Sequence, residues 1–245
     1  MLSHSPRIIT NGLVLCLDAA NTKSYPGSGT SWTDLSGNGN TGTLTNGPTY
    51  SSANSGSIVF DGVNDYVSIS STNNFNFQSN NFTVELIFFF DSSTSSDDTY
   101  RTLLHFGSGT TYFSIVKWRS GIGNGIVIDY SVSGNRYTIT TTNLAPNPNV
   151  SNTITSPLYD VVNKSSFLSV STISNVMSLY INGILYGSVT LGSRWNQNQN
   201  LNIGFNGSGN YMKGNIPLIR VYNNKGLTAS EISQNFNALR GRYGI

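Results

Sequence analysis

Apolar residues in this chain come in short alternating runs, and nearly every run is cut off by Gly, Asn, Asp or Ser before it reaches a helix's length. A period of two puts alternate side chains on opposite faces of an extended backbone. LVLCLDA (Leu13–Ala19), RTLLHFGS, TYFSIVKW, GIVIDYSV, RYTITTT, NLNIGFN and GNIPLIRVY therefore predict strands. In NFTVELIFFFD, Val84, Leu86, Phe88 and Phe90 share one face, and Thr83, Glu85, Ile87 and Phe89 the other. Both faces are apolar toward its end, which marks a strand covered on both sides. Asn182-Gly183 stands between SLYI and ILYGSV, a strong short-range hairpin signal. At least eleven strands at this spacing indicate a sandwich or barrel. The runs Leu13–Ala19, Val84–Phe90, Leu179–Ile181 and Ile216–Tyr222 are expected in the core.

Two segments break the rhythm. ANTKSYPGSGTSWTDLSGNGNTGTL is a long polar loop, for which Trp32 and Leu35 are candidate anchors; APNPNVSNTITSPLYDV carries three prolines and reads as a loop. LTASEISQNFNALRG reads as a helix over Ala229–Arg240. Thr228 and Glu231 have capping-box spacing, and Leu227 and Ile232 that of a hydrophobic staple. Ile232, Phe236 and Leu239 form an apolar stripe, and Gly241 is placed to end the helix. Phe236→Ala is expected to cost roughly 3–5 kcal/mol if the ring is buried.

The 245 residues suffice for one large β domain. Charged residues are 10% of the chain and net charge is +2, so no basic stripe is present to neutralise a nucleic-acid backbone. The longest apolar run is too short for membrane insertion, and the N-terminus does not read as a signal peptide. Cys16 is the single cysteine and reads as a buried thiol. The two histidines, His4 and His105, sit in no recognisable pattern.

The polar and aromatic residues suit three classes of site. Sugar sites combine an aromatic face with a few amides and carboxylates, and Tyr25, Trp32, Tyr112, Trp118, Tyr130 and Trp195 are the aromatics at hand. Trp195, Asn196 and Gln197 in SRWNQNQN, with Trp118 and Tyr130, are the candidate carbohydrate-binding residues. Asp61, Asn64 and Asp65 in FDGVNDYVSI carry oxygens that suit calcium; they equally suit a turn in which Asp and Asn bond their own backbone. Hydrolysis of glycosides takes two carboxyl groups flanking the bond. The chain has two glutamates, Glu85 and Glu231, and Asp97 and Asp98 are strand neighbours that would face opposite ways. No catalytic residues are assigned, and the chain is expected not to be an enzyme.

Taken in order, GLVLCLDAANTKSYPGSGTSWTDLSGNGNTGTLTNGPTY, GSIVFDGVNDYVSI, FTVELIFFF, SLYINGILYGSV and IGFNGSGNYMKGNIPLIRVYNNKGLTASEI resemble the concanavalin A-like lectin/glucanase superfamily, in its laminin G-like and pentraxin-like branch. The resemblance implies an all-β fold: a jelly-roll β-sandwich of two antiparallel sheets with one short C-terminal helix, one domain over residues 1–245. The opening and closing segments look like those of domains in bacteriophage virion proteins. That implies a virion structural protein (capsid decoration, head fibre or tail fibre subunit), assembled in the host cytoplasm as a homo-oligomer beside other virion proteins. Residues 1–11 and 241–245 are then candidate docking tails, and a cell-surface glycan a candidate partner. The alternative is a lectin-like module of a bacterial surface or secreted protein. No cofactor is required on either reading, with calcium as the one candidate.

Overall fold

The alternating runs build two sheets that bury a common core. The computed structural model describes residues 7–70, 73–77, 81–94, 100–118, 124–141, 152–155, 159–192, 198 and 200–245. Its strands are β1 (Leu13–Asp18), β2 (Ser31–Trp32), β3 (Gly42–Thr45), β4 (Thr49–Ser51), β5 (Ser57–Asp61), β6 (Tyr66–Ile69), β7 (Phe82–Phe90), β8 (Arg101–Ser108), β9 (Thr111–Lys117), β10 (Ile126–Val132), β11 (Asn135–Thr140), β12 (Asn152–Thr155), β13 (Ser166–Ile173), β14 (Val176–Ile181), β15 (Ile184–Thr190), β16 (Leu201–Ile203) and β17 (Lys213–Asn223). The helix α1 (Ala229–Tyr243) follows. Among the described residues one sheet has eight strands, ordered β15-β14-β13-β7-β17-β5-β4 with β1 also on β17. The other has nine, ordered β12-β11-β10-β9-β8-β16-β6-β3-β2. This is the expected sandwich with its terminal helix.

Parity decides what each strand contributes. Val84, Leu86, Phe88 and Phe90 of β7, with Ile219 and Val221 of β17, meet Phe106, Phe113, Ile115, Ile128 and Tyr130 of the nine-stranded sheet between the layers. The opposite parity, Ile87, Leu218 and Tyr222, packs with Leu227, Ile232, Leu239 and Tyr243 of the helical segment. The eight-stranded sheet is thus covered on both faces, as the β7 pattern predicted.

Three expectations change. The proline-bearing segment is not all loop: β12 lies within it and pairs parallel to β11 through Tyr137–Asn152 and Ile139–Ile154. A parallel partner needs a long crossover, so local turn chemistry could not announce it. The polar loop after β1 is not wholly irregular either, since Ser31–Trp32 pairs with β3. Trp32 is its buried anchor, and Leu35 is half-buried. The carboxylate of Asp34 holds this loop from inside, accepting from Cys16 N (2.8 Å), Ser36 N (2.9 Å), Ser36 Oγ (2.7 Å) and Asn40 N (3.0 Å).

The third change is at the helix end. Thr228 and Glu231 form the predicted capping box, but the helix passes through Gly241 and stops at Gly244, whose φ of 66° only glycine adopts freely. Two side chains beyond Gly241 explain it: the Tyr243 hydroxyl donates to Asp18 Oδ1 (2.8 Å) and Arg242 Nη1 to Asp18 Oδ2 (2.9 Å). Residues 241–243 are therefore helix, with Gly241 and Arg242 exposed and Tyr243 buried. At the other end residues 1–6 lie outside the described residues, and Arg7 and Ile9 are bonded to Gln234 and Asn235 of α1.

Phe236 is half-buried, resting on Phe167 (ring centroids 5.8 Å) and on the turn at Gly183, which has φ 79° as the Asn182-Gly183 signal requires. Phe236→Ala is accordingly expected to cost about 1–3 kcal/mol, below the figure for a fully buried ring. Urea denaturation measures it; no change would mean the helix end is not held by this ring.

Under α1 sits an ion pair that local sequence could not show. Glu85 and Arg220 are each fully buried, with Arg220 Nη2 3.1 Å from Glu85 Oε2. The contact is off the line of a hydrogen bond, and the guanidinium nitrogens find no hydrogen-bond acceptor among the described residues. Asn235 Nδ2 from the helix reaches Glu85 Oε1 (3.1 Å) and Oε2 (3.0 Å). Asn235 Oδ1 accepts from Ile9 N (2.8 Å), and Tyr222 Oη donates to Ile9 O (3.0 Å). One polar cluster thereby ties the helix, the sheet and the N-terminal segment together.

Candidate ligand-binding groove

A polar row crosses the outer face of the nine-stranded sheet. Strand register sets Asn202 beside His105, His105 beside Ser114, Ser114 beside Asp129 and Asp129 beside Thr138. Their sequence neighbours Phe106, Phe113, Ile115, Ile128 and Ile139 point the other way into the core. Alternation alone therefore gives this face its chemistry.

Around the row lies a groove of about 640 Å³ lined by His105, Tyr112, Ser114, Asp129, Asn202 and Ser208, among others. That volume lies within the range that holds a small organic ligand. Two loops form its rims. The β8–β9 turn is tied down by Ser131 Oγ, which donates to Thr110 O (2.9 Å). The loop after β16 is pinned by Phe205, stacked on Tyr211 (4.8 Å, 7°) and tilted on Tyr66 (5.4 Å), and it presents Asn206 and Ser208 to the groove.

The electrostatics are closed. Asp129 is gripped by Arg136, with Nε at 2.7 Å from Oδ1 and Nη2 against Oδ2, while Tyr112 Oη donates to Oδ2 (3.2 Å). Burial, with the Asp129 charge adding, pushes the Tyr112 phenol up to about 12. The hydrogen bonds from Arg136 to Asp129 raise the guanidinium further, so Arg136 stays charged. Burial lowers the His105 imidazole below its ordinary value and favours the neutral ring, against the Gly107 carbonyl and the Asp129 charge. Its ring lies over Tyr112 at 5.9 Å.

The predicted site residues fare differently. Trp195, Asn196 and Gln197 lie outside the described residues, as do Asp97 and Asp98. Trp118 is half-buried at the end of β9, edge-on to Tyr100 at 4.5 Å, and does not line the groove. Tyr130 corrects an expectation. It is fully buried between the sheets, so its ring is no platform for a sugar; Tyr112, on the opposite parity of the adjacent strand, is the aromatic that faces the groove.

Asp61, Asn64 and Asp65 come together in one turn. Asp61 Oδ1 accepts from Val63 N (2.7 Å) and Asn64 N (3.4 Å), and Asp65 Oδ2 accepts from Asp61 N (3.0 Å). Asn64 O accepts from Asn46 Nδ2 (3.0 Å). Among the described residues no group of three or more His, Cys, Asp or Glu is arranged to hold a metal ion. What sequence reasoning missed was His105, Asp129 and Asn202, which are 24 to 97 residues apart in the chain and become neighbours only through register.

Comparison with known proteins places this geometry in context. A family model described as the concanavalin A-like lectin/glucanases superfamily matches residues 61–233. No curated protein sequence matches. Among solved structures, domain 4 of AbnA, an extracellular arabinanase from Geobacillus stearothermophilus determined in complex with arabinotriose, superposes with a TM-score of 0.67 at 19% identity, covering 91% of this chain and 97% of that one. The binding domain of Paraclostridial Mosquitocidal Protein 1 gives 0.71 at 18% identity, over 94% of this chain and 52% of that one. The botulinum neurotoxin serotype D ligand-binding domain in complex with N-acetylneuraminic acid gives 0.70 at 15%, over 94% and 52%. The chain spans about half the length of these two toxin chains. At such identities the likeness is one of fold.

Proposed function

Because the chain belongs to the concanavalin A-like lectin/glucanase superfamily, we propose that it is a non-catalytic glycan-binding module whose ligand lies in the groove over β8, β9, β10 and β16. The observation that carries this reading is the row Asn202–His105–Ser114–Asp129, hydrogen-bonding groups set along an open groove with the Tyr112 ring beside them. Sugar sites use such a mixture: an aromatic face for the ring and a few fixed polar groups for the hydroxyls. The arabinotriose and N-acetylneuraminic acid of the two matched structures lend support by fold alone.

The non-catalytic part rests on carboxylates. Asp129 is the one acid among the groove's described lining residues, and Arg136 occupies both its oxygens. Glu85 is sealed under α1 and Glu231 caps that helix. A pair flanking a scissile bond is not assembled there.

Glycan-array screening followed by calorimetry tests the reading. Tyr112→Ala and Asn202→Ala are expected to weaken binding about tenfold or more each, since a ring contact or a polar contact is worth on the order of 1–2 kcal/mol. Binding is expected to persist in a chelator, because the Asp61 and Asp65 oxygens already serve backbone amides. Unchanged affinity in both variants would move the site elsewhere.

A second reading concerns where the module works. Ile184 and Leu185, 66% and 54% exposed at the start of edge strand β15, leave apolar surface of the kind a neighbouring subunit covers. On this second reading the chain is a virion structural protein, a capsid or fibre subunit, and that surface is its contact with a neighbouring subunit. Fixed stoichiometry of the chain on purified particles, counted by mass spectrometry, is the expected result; its absence from particles would end that role and leave the glycan reading standing.

A further inference from the structure

We infer that the glycan site continues past the groove onto β6 and β3, so that its ligand is a linear oligosaccharide of several units rather than a single terminal sugar. This rests on the glycan reading above and gives it a ligand class and a second subsite. The groove's lining stops at Asn202. Strand register carries the polar row further: Asn202 stands beside Ser68, Ser68 beside Thr43 and Thr43 beside Ser31. Their chain neighbours Trp32, Leu44, Val67, Ile69, Leu201 and Ile203 are in the core, so these four side chains share the groove's face. All four reach solvent: Asn202 and Ser68 are half-buried, and Thr43 and Ser31 are exposed. From Asp129 to Thr43 the row crosses five strand spacings, about 24 Å. One sugar ring covers a fraction of that length, whereas an extended chain follows it.

A solvent-facing sheet is polar by default, so the hydroxyls alone assign no ligand. The aromatics beside them do. Tyr66 lies two residues before Ser68 and on the same face of β6. Phe205 tilts onto its ring (5.4 Å) and stacks on Tyr211 (4.8 Å, 7°), and all three rings stay partly exposed. The patch adjoins the groove, because Asn206, next to Phe205, is one of the groove's lining residues. It is also held in place. Arg101 Nη1 donates to Gly62 O (3.0 Å) and to Tyr211 O (3.2 Å), and Met212 N donates to Gly204 O (2.8 Å), closing the loop that carries Phe205. Fixed aromatic rings beside hydroxyl and amide groups are the mixture that sugar sites use, and a surface already in place costs little to order on binding.

Calorimetry on the full chain with linear arabinose, xylose and glucose oligomers of rising length tests it. Affinity is expected to climb with each unit added beyond the disaccharide and to level off once the row is spanned. Thr43→Val removes one exposed hydroxyl and keeps the side chain's shape; Tyr66→Ala removes a ring. Against a long oligomer they are expected to lose about threefold and about tenfold respectively, while the disaccharide, which the groove alone holds, binds as it does to the unmodified protein. That split distinguishes a second subsite from a disturbance of the fold, which weakens both lengths alike. Proton spectra of the unmodified protein add a readout that needs no variant: the Tyr66 and Phe205 ring resonances are expected to move on saturation with the long oligomer and to stay put with the disaccharide. Affinity that is flat with length, or full long-oligomer affinity in both variants, would overturn this inference; loss of binding in Tyr112→Ala would then leave the glycan reading intact. Equal weakening at both lengths in Thr43→Val and Tyr66→Ala would also overturn it. Failure of every oligomer and every arrayed glycan to bind would overturn both.

Discussion

Replacing Arg220 with methionine is expected to destabilise the fold by about 3–5 kcal/mol, because it strands the Glu85 carboxyl in a fully buried site. The loss should depend on pH. Complete burial raises the Glu85 carboxyl above the usual range, and Arg220, then the Asn235 amide and the Tyr222 hydroxyl, pull it partly back. A carboxyl whose folded value lies above its unfolded value, about 4.3 for Glu, stabilises fully below that value and loses the contribution as pH rises through the folded value. Without Arg220 the folded value climbs further, so the variant's deficit should widen as pH rises above the folded value of the unmodified protein. Urea denaturation over a pH series from acid to alkaline measures it, and a deficit that stays constant throughout would show that Glu85 is not the stranded group. Changing both residues to apolar side chains, Glu85→Leu with Arg220→Met, should recover most of the loss, since buried pairs are often replaced at little net cost.

Trp32→Ala is the second large effect, expected at about 3–5 kcal/mol. The indole is fully buried and anchors the loop between β1 and β3 onto the shared core. For a domain of this size the melting temperature should fall by about 6–20 °C. Trp32→Phe should recover much of this, because the indole Nε1 has no hydrogen-bond partner among the described residues to lose. A drop of only a degree or two in Trp32→Ala would mean that the loop folds over without its anchor.

What was legible in the sequence was what local chemistry decides. Thr228 and Glu231 announced the helix start, Asn182-Gly183 the hairpin, and the two-sided pattern of β7 a covered sheet. The helix end was misplaced because Gly241 signals a stop, yet Tyr243 and Arg242 reach Asp18, more than two hundred residues earlier. The Glu85 ion pair is hidden for the same reason, Arg220 being 135 residues away in β17. The groove was hidden more thoroughly. In IVIDYSV every residue is buried, so the run does not say which parity faces the core, and Tyr130 reads as a sugar platform where Asp129 is the residue that lines the groove. His105 lay in no motif because its companions come from other strands.

The placement of β17 bears on how the chain can reach this fold. One edge of that strand serves β5 through Lys213–Ile216 and β1 through Leu218–Tyr222, while the other edge serves β7. Three early strands thus share a partner synthesised some 120 to 200 residues after them. Pairings so distant along the chain form slowly, and during synthesis the edges of β1, β5 and β7 must wait, unpaired, for the final strand to emerge. Exposed edges of that kind are where chains join one another. Ribosome-bound fragments ending before Lys213 should therefore stay protease-sensitive, and the eight-stranded sheet should gain protection only once Asn223 has cleared the exit tunnel.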